Sequence, residues 1–240
     1  MQVALIRHTP QPEETVAAAA RLCYSQVGAM EILERMDSSQ VNKLLDHLLS
    51  SGHLSPFEHV NFTFAIDGLS RAASHQLVRH RVASYSQQSQ RYVSLKKLDW
   101  VTPPTIQRKP ELAEAFQEMV QGIHQLYCRM LEEGVPAEDA RYILPNATCT
   151  NLVMTMNARE LIHVCSVRLC LRAQWEIREL FTRVKAEVEM VAPRMGAEML
   201  IKCDRLGYCD EKETCGLYPT REGAGENPAA TGGQGPARAI

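Results

Sequence analysis

The chain has 240 residues, 45% of them apolar, and a formal net charge of -2, which suits a globular protein with a substantial core and excludes a fibrous or wholly disordered chain. A pI of about 6.5 argues against a protein that spreads basic charge over a nucleic-acid-binding face. No apolar run approaches the roughly 18 residues of a membrane span or forms a signal peptide, so a cytoplasmic protein with no membrane partner is expected.

Gln2 to Ile6 reads as a short strand, and Glu13 to Cys23, alanine-rich after Pro12, as a helix. Asp37 or Ser38 is placed to cap a helix carrying Val41, Leu44, Leu45, Leu48 and Leu49 on one face, with Gly52 as its stop. Val60 to Ile66 alternates as a strand with one buried face, and Asp67-Gly68 is expected to turn the chain. Leu69 to about His80 has helical composition, which would set Gln76, Arg79 and His80 on one face before the chain enters a loop.

Pro103-Pro104 breaks the chain, and a long amphipathic helix over Glu111 to Glu133 ends at Gly134. Pro136 opens a short helix through Arg141. Thr148 to Met156 is β-branched and apolar enough for a strand. Asn157 then caps a helix, with Glu160 at its third position, that runs to about Cys170. Trp175 to Val191 forms a further helix, stopped before Pro193. Residues 1–219 are expected to form one functional domain, and 220–240, rich in Gly, Ala and Pro with no apolar period, a disordered tail.

Charge is distributed unevenly along this framework. From Gly68 to Leu98 there is no Asp or Glu, yet Arg71, Arg79, Arg81, Arg91, Lys96 and Lys97 are present. Ser84, Ser86, Ser89, Gln87, Gln88 and Gln90 add neutral hydrogen-bonding groups, and Tyr85 and Tyr92 add rings that can stack. Guanidinium forks grip phosphate bidentately while amides and hydroxyls read a base or sugar, so these neighbours favour an anion-binding site over a merely solvated basic face.

Two further clusters carry polar chemistry. His53-Leu54-Ser55-Pro56-Phe57-Glu58-His59 has two histidines and a glutamate in seven residues, but without HExxH spacing or a nearby cysteine, so a polar cofactor loop is favoured over zinc. Asn157, Arg159, His163 and Arg168 begin and line one helix, whose start suits phosphate through unpaired N–H groups and the helix dipole, although on these residues alone capping and surface pairs to Glu160 are the favoured reading. The eight cysteines are expected to be mostly reduced and buried, and Cys203-x5-Cys209-x5-Cys215 lacks the CxxC pairs of a zinc site. No bound metal is expected. GxGxxG, Walker and GxSxG patterns are absent, so any dinucleotide would bind outside a Rossmann scaffold. The residues alone leave open an enzyme of nucleotide chemistry, a small nucleic-acid-binding module using the Arg79–Arg91 helix-loop, and a zinc protein built on Cys203, Cys209 and Cys215.

Arg79-His80-Arg81, seven residues, then Ser89 and Arg91 resembles the defining motif of the flavin-dependent thymidylate synthases. The flanking blocks His53-x-Ser55-Pro56-Phe57-Glu58-His59, Ala140-Arg141-x-x-Leu144-Pro145, Asn157-Ala158-Arg159 and Gln174-Trp175-Glu176-Ile177-Arg178 follow in family order, over about residues 1 to 217. The resemblance implies a mixed α/β (α+β) fold peculiar to that family, thymidylate synthase complementing protein-like, with an antiparallel-rich sheet and helices. It implies a homotetramer with active sites shared at subunit interfaces. The activity it implies is conversion of dUMP to dTMP, with 5,10-methylenetetrahydrofolate giving the carbon, NADPH reducing a bound FAD, and FAD supplying the hydride; no nucleic acid is a partner.

Carried over by position, the resemblance puts His53, Ser55, Glu58, Arg79, His80, Arg81, Gln87, Asn157, Arg159 and His163 at FAD, and Gln76, Arg79, Gln87, Gln88, Ser89, Arg91, Arg141 and Arg168 at dUMP. Ser89 and Arg168 are then the catalytic residues, Ser89 as a substrate-positioning hydroxyl and Arg168 as the cation that stabilises the flavin's pyrimidine edge and the polarised uracil carbonyl; no cysteine is the nucleophile. Some family members have glutamate in place of Gln87 and asparagine in place of His163.

Overall fold

A computed structural model describes residues 1–224. In chain order the elements are β1 Gln2–His8, α1 Pro12–Leu22, α2 Ala29–Arg35, α3 Ser38–Ser50, β2 Asn61–Ser70, α4 Arg71–Leu77, β3 Ala83–Gln87, α5 Pro104–Gln107, α6 Pro110–Glu132, α7 Ala137–Ala140, β4 Cys149–Asn157, α8 Ala158–Arg168, α9 Trp175–Val191, α10 Pro193–Ala197 and α11 Lys202–Leu206. Single 3-10 turns occur at Ser55–His59, Arg141–Ile143 and Glu222–Ala224. The four strands form one antiparallel sheet in the order β1-β2-β4-β3, which bears out the mixed α/β expectation.

The central pair β2 and β4 shows why these sequences are strands. Phe62, Phe64 and Ile66 on β2 and Thr150, Leu152, Met154 and Met156 on β4 are buried, while the residues between them are more exposed. That period of two matches the pleat. Between the strands the Thr63 and Thr155 hydroxyls meet at 2.9 Å, a cross-strand pair that helps fix register.

The expected turn at Asp67-Gly68 does not form; β2 continues through both residues to Ser70. Gly68 takes a φ of +75° that a side chain would resist, and its N–H donates to Asn151 Oδ1 at 3.1 Å. The kink is therefore absorbed within the sheet. Ser70 next accepts from the Ala73 N–H at 3.0 Å and starts α4 directly. That helix stops at Leu77, short of His80, so Gln76 lies on α4 while Arg79 and His80 sit in the turn after it. The chain beyond is also more regular than the expected loop, since Ala83–Gln87 is strand β3 with half-buried Ala83, Tyr85 and Gln87 alternating with exposed Ser84 and Ser86.

The other elements follow their local signals closely. Asp37 and Gln40 form a reciprocal capping box at the start of α3. Asn157 Oδ1 accepts from the Glu160 N–H at 2.8 Å and starts α8. α8 and α9 pack together, with Leu161, Ile162, Val164 and Cys165 buried on one and Ile177, Leu180, Phe181, Val184 and Val188 on the other. No helix among the described residues is long and apolar enough to cross a membrane.

Cα packing divides the chain into two units, one of Met1–Ile6 with Thr63–Thr155, the other of Arg7–Phe62 with Met156 onward. Of the stretch expected as a tail, Thr220 bridges to Cys209 and Glu222–Ala224 forms a turn, while 225–240 lie outside the described residues.

Candidate active site

In the unit that contains Thr63–Thr155, the acid-free segment is held open by specific latches. The Tyr85 hydroxyl lies 3.0 Å from the carbonyl oxygens of both Leu77 and His80, closing the turn between α4 and β3. This occupies a group that the sequence suggested for stacking on a ligand. Arg79 and Arg81 are exposed on that turn and His80 is half-buried. Gln87 donates its side-chain amide to Ser74 Oγ at 3.0 Å and Thr150 Oγ1 at 3.2 Å, leaving Oε1 as the acceptor it can offer. Gln88 is exposed, and its N–H donates to the Asn151 carbonyl at 2.9 Å.

Beyond β3, the Ser89 Oγ accepts from the Arg91 N–H at 3.1 Å, so its own O–H is left to donate. The Arg91 Nε donates to Glu138 Oε2 at 2.6 Å, and its guanidinium lies over the Tyr92 ring at 5.2 Å. Arg141 Nε donates to the Glu138 carbonyl at 3.0 Å. Glu138 thus gathers two arginines expected at one ligand, one through its carboxylate and one through its backbone. The Arg71 guanidinium completes this electrostatic picture: burial lowers its pKa first, and the neighbouring charge of Arg141 lowers it further. Cations that crowd one another in a partly dry setting create a site that an anion relieves.

Sequence reasoning did not single out Glu138, Ser74 or Thr150, and it counted Arg71 only as charge. Their roles depend on contacts across many residues of chain. The one usable signal was the Ala140-Arg141 block, with an acid two positions before it.

In the other unit, Pro56 and Phe57 are buried, and the 3-10 turn that holds them packs against α1 and α8. Anchoring those two side chains leaves His53, Ser55 and Glu58 exposed around them. Glu58 Oε1 accepts from Arg159 Nη1, joining two residues from separate sequence blocks. Arg159 and His163 are both exposed along α8, one turn apart as their spacing requires. Glu160 stands beside them with its pKa raised by burial, an effect that the nearby His163 opposes. Arg168 is half-buried at the end of α8. The arrangement is rich in donors suited to pyrophosphate and polar ring edges.

All eight cysteines are free thiols, but burial is mixed: Cys165, Cys203 and Cys209 are buried, and Cys23 and Cys215 exposed. Among the described residues no group of three or more His, Cys, Asp or Glu side chains is arranged to hold a metal.

A profile of the family described as thymidylate synthase complementing protein matches residues 4–194. The chain is 48% identical over 219 residues to a flavin-dependent thymidylate synthase of Geobacter sulfurreducens, covering 90% of this chain and 94% of that one. It is 44% identical to a Clostridium tetani protein of the same description, covering 81% and 85% of the two chains. Among solved structures, a UMP/dUMP methylase of Streptomyces cacaoi, bound with 5-Br dUMP, superposes with a TM-score of 0.71 at 23% identity, covering 82% of this chain and 93% of that one. At that identity the likeness speaks for the fold.

Proposed function

Because this chain belongs to the thymidylate synthase complementing protein family, whose curated relatives are flavin-dependent thymidylate synthases, we propose that it converts dUMP to dTMP using 5,10-methylenetetrahydrofolate, NADPH and FAD. FAD, reduced by NADPH, supplies the hydride that completes the methyl group. The protein's share is binding, orientation and charge placement.

The observation that carries the substrate reading is the crowding of Arg71 and Arg141 beside the Arg91–Glu138 pair. We assign the dUMP phosphate to Arg91 and Arg141, with Arg71 adding charge from partial burial and Gln76 and Gln88 contributing hydrogen bonds. Ser89 donates to the substrate with the O–H left over from its contact to Arg91, and so positions the nucleotide. Arg168 is assigned to the uracil carbonyl oxygen, where a cation draws in electron density as C5 attacks the one-carbon unit.

His53, Ser55, Glu58, Asn157, Arg159 and His163 are assigned to FAD together with Arg79, His80, Arg81 and Gln87. Support comes from the exposed donors around the Pro56-Phe57 anchor and along α8. Their chemistry fits the cofactor, because guanidinium and imidazole groups suit pyrophosphate and the polar flavin edge.

Active sites at subunit interfaces of a cytoplasmic homotetramer belong to the same proposal, with residues 1–219 as the functional domain. Large apolar side chains next to three of the assigned arginines, Val82, Tyr92 and Tyr142, are 60%, 77% and 84% exposed, as expected of surface that another copy covers.

The test is titration of dUMP into the FAD-loaded protein, followed by the flavin spectrum. A saturable change that Arg141→Ala weakens supports the assignment, and a spectrum indifferent to dUMP removes it.

A further inference from the structure

The last described segment folds back on itself. Gly207, at φ +74°, donates its N–H to the Cys203 carbonyl at 2.9 Å and reverses the chain after α11. The return is held by three contacts: Lys202 pairs with Asp210, the Tyr218 hydroxyl donates to Asp204 Oδ1 at 2.8 Å, and the Cys209 N–H donates to the Pro219 carbonyl at 2.7 Å. This reversal brings Cys209 back beside Cys203, close enough for each thiol to shift the other's ionisation. Both are buried, at 4% and 7% exposure, whereas Cys215 farther along the loop is exposed.

The two sulfurs have opposite surroundings. The Cys209 thiol's pKa is lowered, chiefly by the Glu211 backbone beside it and against burial, which raises it. The Cys203 thiol is pushed up to about 12, by burial first and then by Cys209, with Cys170 adding a smaller push. Such a pair has one sulfur disposed to attack and one held as a thiol. Cys209 is followed directly by exposed chain, Glu211 to Gly216. The convergence is of two thiols, and no metal-holding group of three occurs among the described residues.

We propose that Cys203 and Cys209 form a redox-active dithiol that closes to an intramolecular disulfide in exchange with a low-molecular-weight disulfide such as oxidised glutathione. The Cys209 thiolate attacks one glutathione sulfur, forming a mixed disulfide and releasing a glutathione thiolate, which takes up a proton. Cys203 then gives up its proton and attacks the Cys209 sulfur, and the second glutathione leaves as a thiol. Two protein thiols are oxidised and one glutathione disulfide is reduced to two thiols. The inference does not depend on the proposed enzymatic activity.

The test uses the full-length protein in glutathione buffers of graded oxidation at about pH 8, where thiol–disulfide exchange through thiolate proceeds. The samples are acid-quenched, alkylated under denaturing conditions, and analysed by intact mass and peptide mapping. The expected result is two fewer alkylated thiols at the oxidised end, a Cys203–Cys209 linked peptide, and recovery with dithiothreitol. Cys203→Ser should trap glutathione on Cys209, and Cys170→Ser should leave the linkage intact. An unchanged thiol count in the folded wild type, a linkage through Cys170, or a Cys203→Ser protein that takes up no glutathione at Cys209 would each overturn the proposal.

Discussion

Arg91 Nε lies 2.6 Å from Glu138 Oε2, across 47 positions of chain. Both side chains are about half exposed, so the pair contributes little to stability, on the order of 0–1 kcal/mol. It matters more as an orienting contact, because Glu138 also holds Arg141 through its carbonyl.

Glu138→Gln should therefore leave Tm within about 2–4 °C of wild type yet weaken dUMP binding several-fold. Arg91→Ala should cost more, roughly 10- to 100-fold in the dUMP dissociation constant, as expected when a charge-assisted contact worth about 1.5–3 kcal/mol is lost. Titration calorimetry with dUMP distinguishes the two. An unchanged dissociation constant for Arg91→Ala removes that residue from the phosphate site.

Gln87 serves the fold as well as the site. Its amide satisfies Ser74 and Thr150, which are 0% and 3% exposed. Gln87→Leu removes the donor to the Thr150 hydroxyl, while Ser74 Oγ keeps its bond to the Arg71 carbonyl at 3.0 Å; the loss is about 1–3 kcal/mol, seen as a Tm lowered by roughly 2–12 °C for a chain of this size. A Tm equal to wild type would show that the Thr150 hydroxyl finds another partner.

On the cofactor side, Arg159→Ala should lower FAD affinity about tenfold or more, measured by flavin fluorescence on titration into apoprotein. Loss of its exposed pair with Glu58 should barely alter thermal stability. A large drop in Tm with unchanged FAD affinity would make this contact structural.

Alkaline pH provides a test confined to the core. Burial raises the Cys165 thiol from 9.0 to about 12, so in the window between these values the unfolded chain has lost a proton that the folded chain keeps. Stability is then fully present below about pH 9 and falls as pH rises toward 12, because the unfolded state binds fewer protons. Cys165→Ala should flatten that decline in urea melts at graded pH. Native alkylation at about pH 8 should label exposed Cys23 and Cys215 and spare Cys165.

Local signals made much of the fold legible. Trp175 to Val191 is helical over the expected span, and Asp37 with Gln40 and Asn157 with Glu160 cap where their spacing says they should. The errors arose where a distant group overrode a local preference. Asp67-Gly68 reads as a turn, but Asn151, 83 positions on, satisfies the Gly68 N–H and keeps the strand intact. Ala83–Gln87 looks too polar for a strand, and its alternation became informative only when β4 lay beside it. Within the site, the motif arginines could be named from sequence, whereas Glu138 could not, because nothing local ties it to Arg91.

The central claim is tested most directly by supplying the purified full-length chain with FAD, NADPH, 5,10-methylenetetrahydrofolate and dUMP and measuring dTMP by chromatography. The account predicts dTMP formation that requires all four, persists when any single cysteine is replaced, and is abolished by Arg168→Ala in a protein that still binds FAD. Absence of dTMP from a folded, FAD-loaded protein, or its undiminished formation after Arg168→Ala, would contradict it.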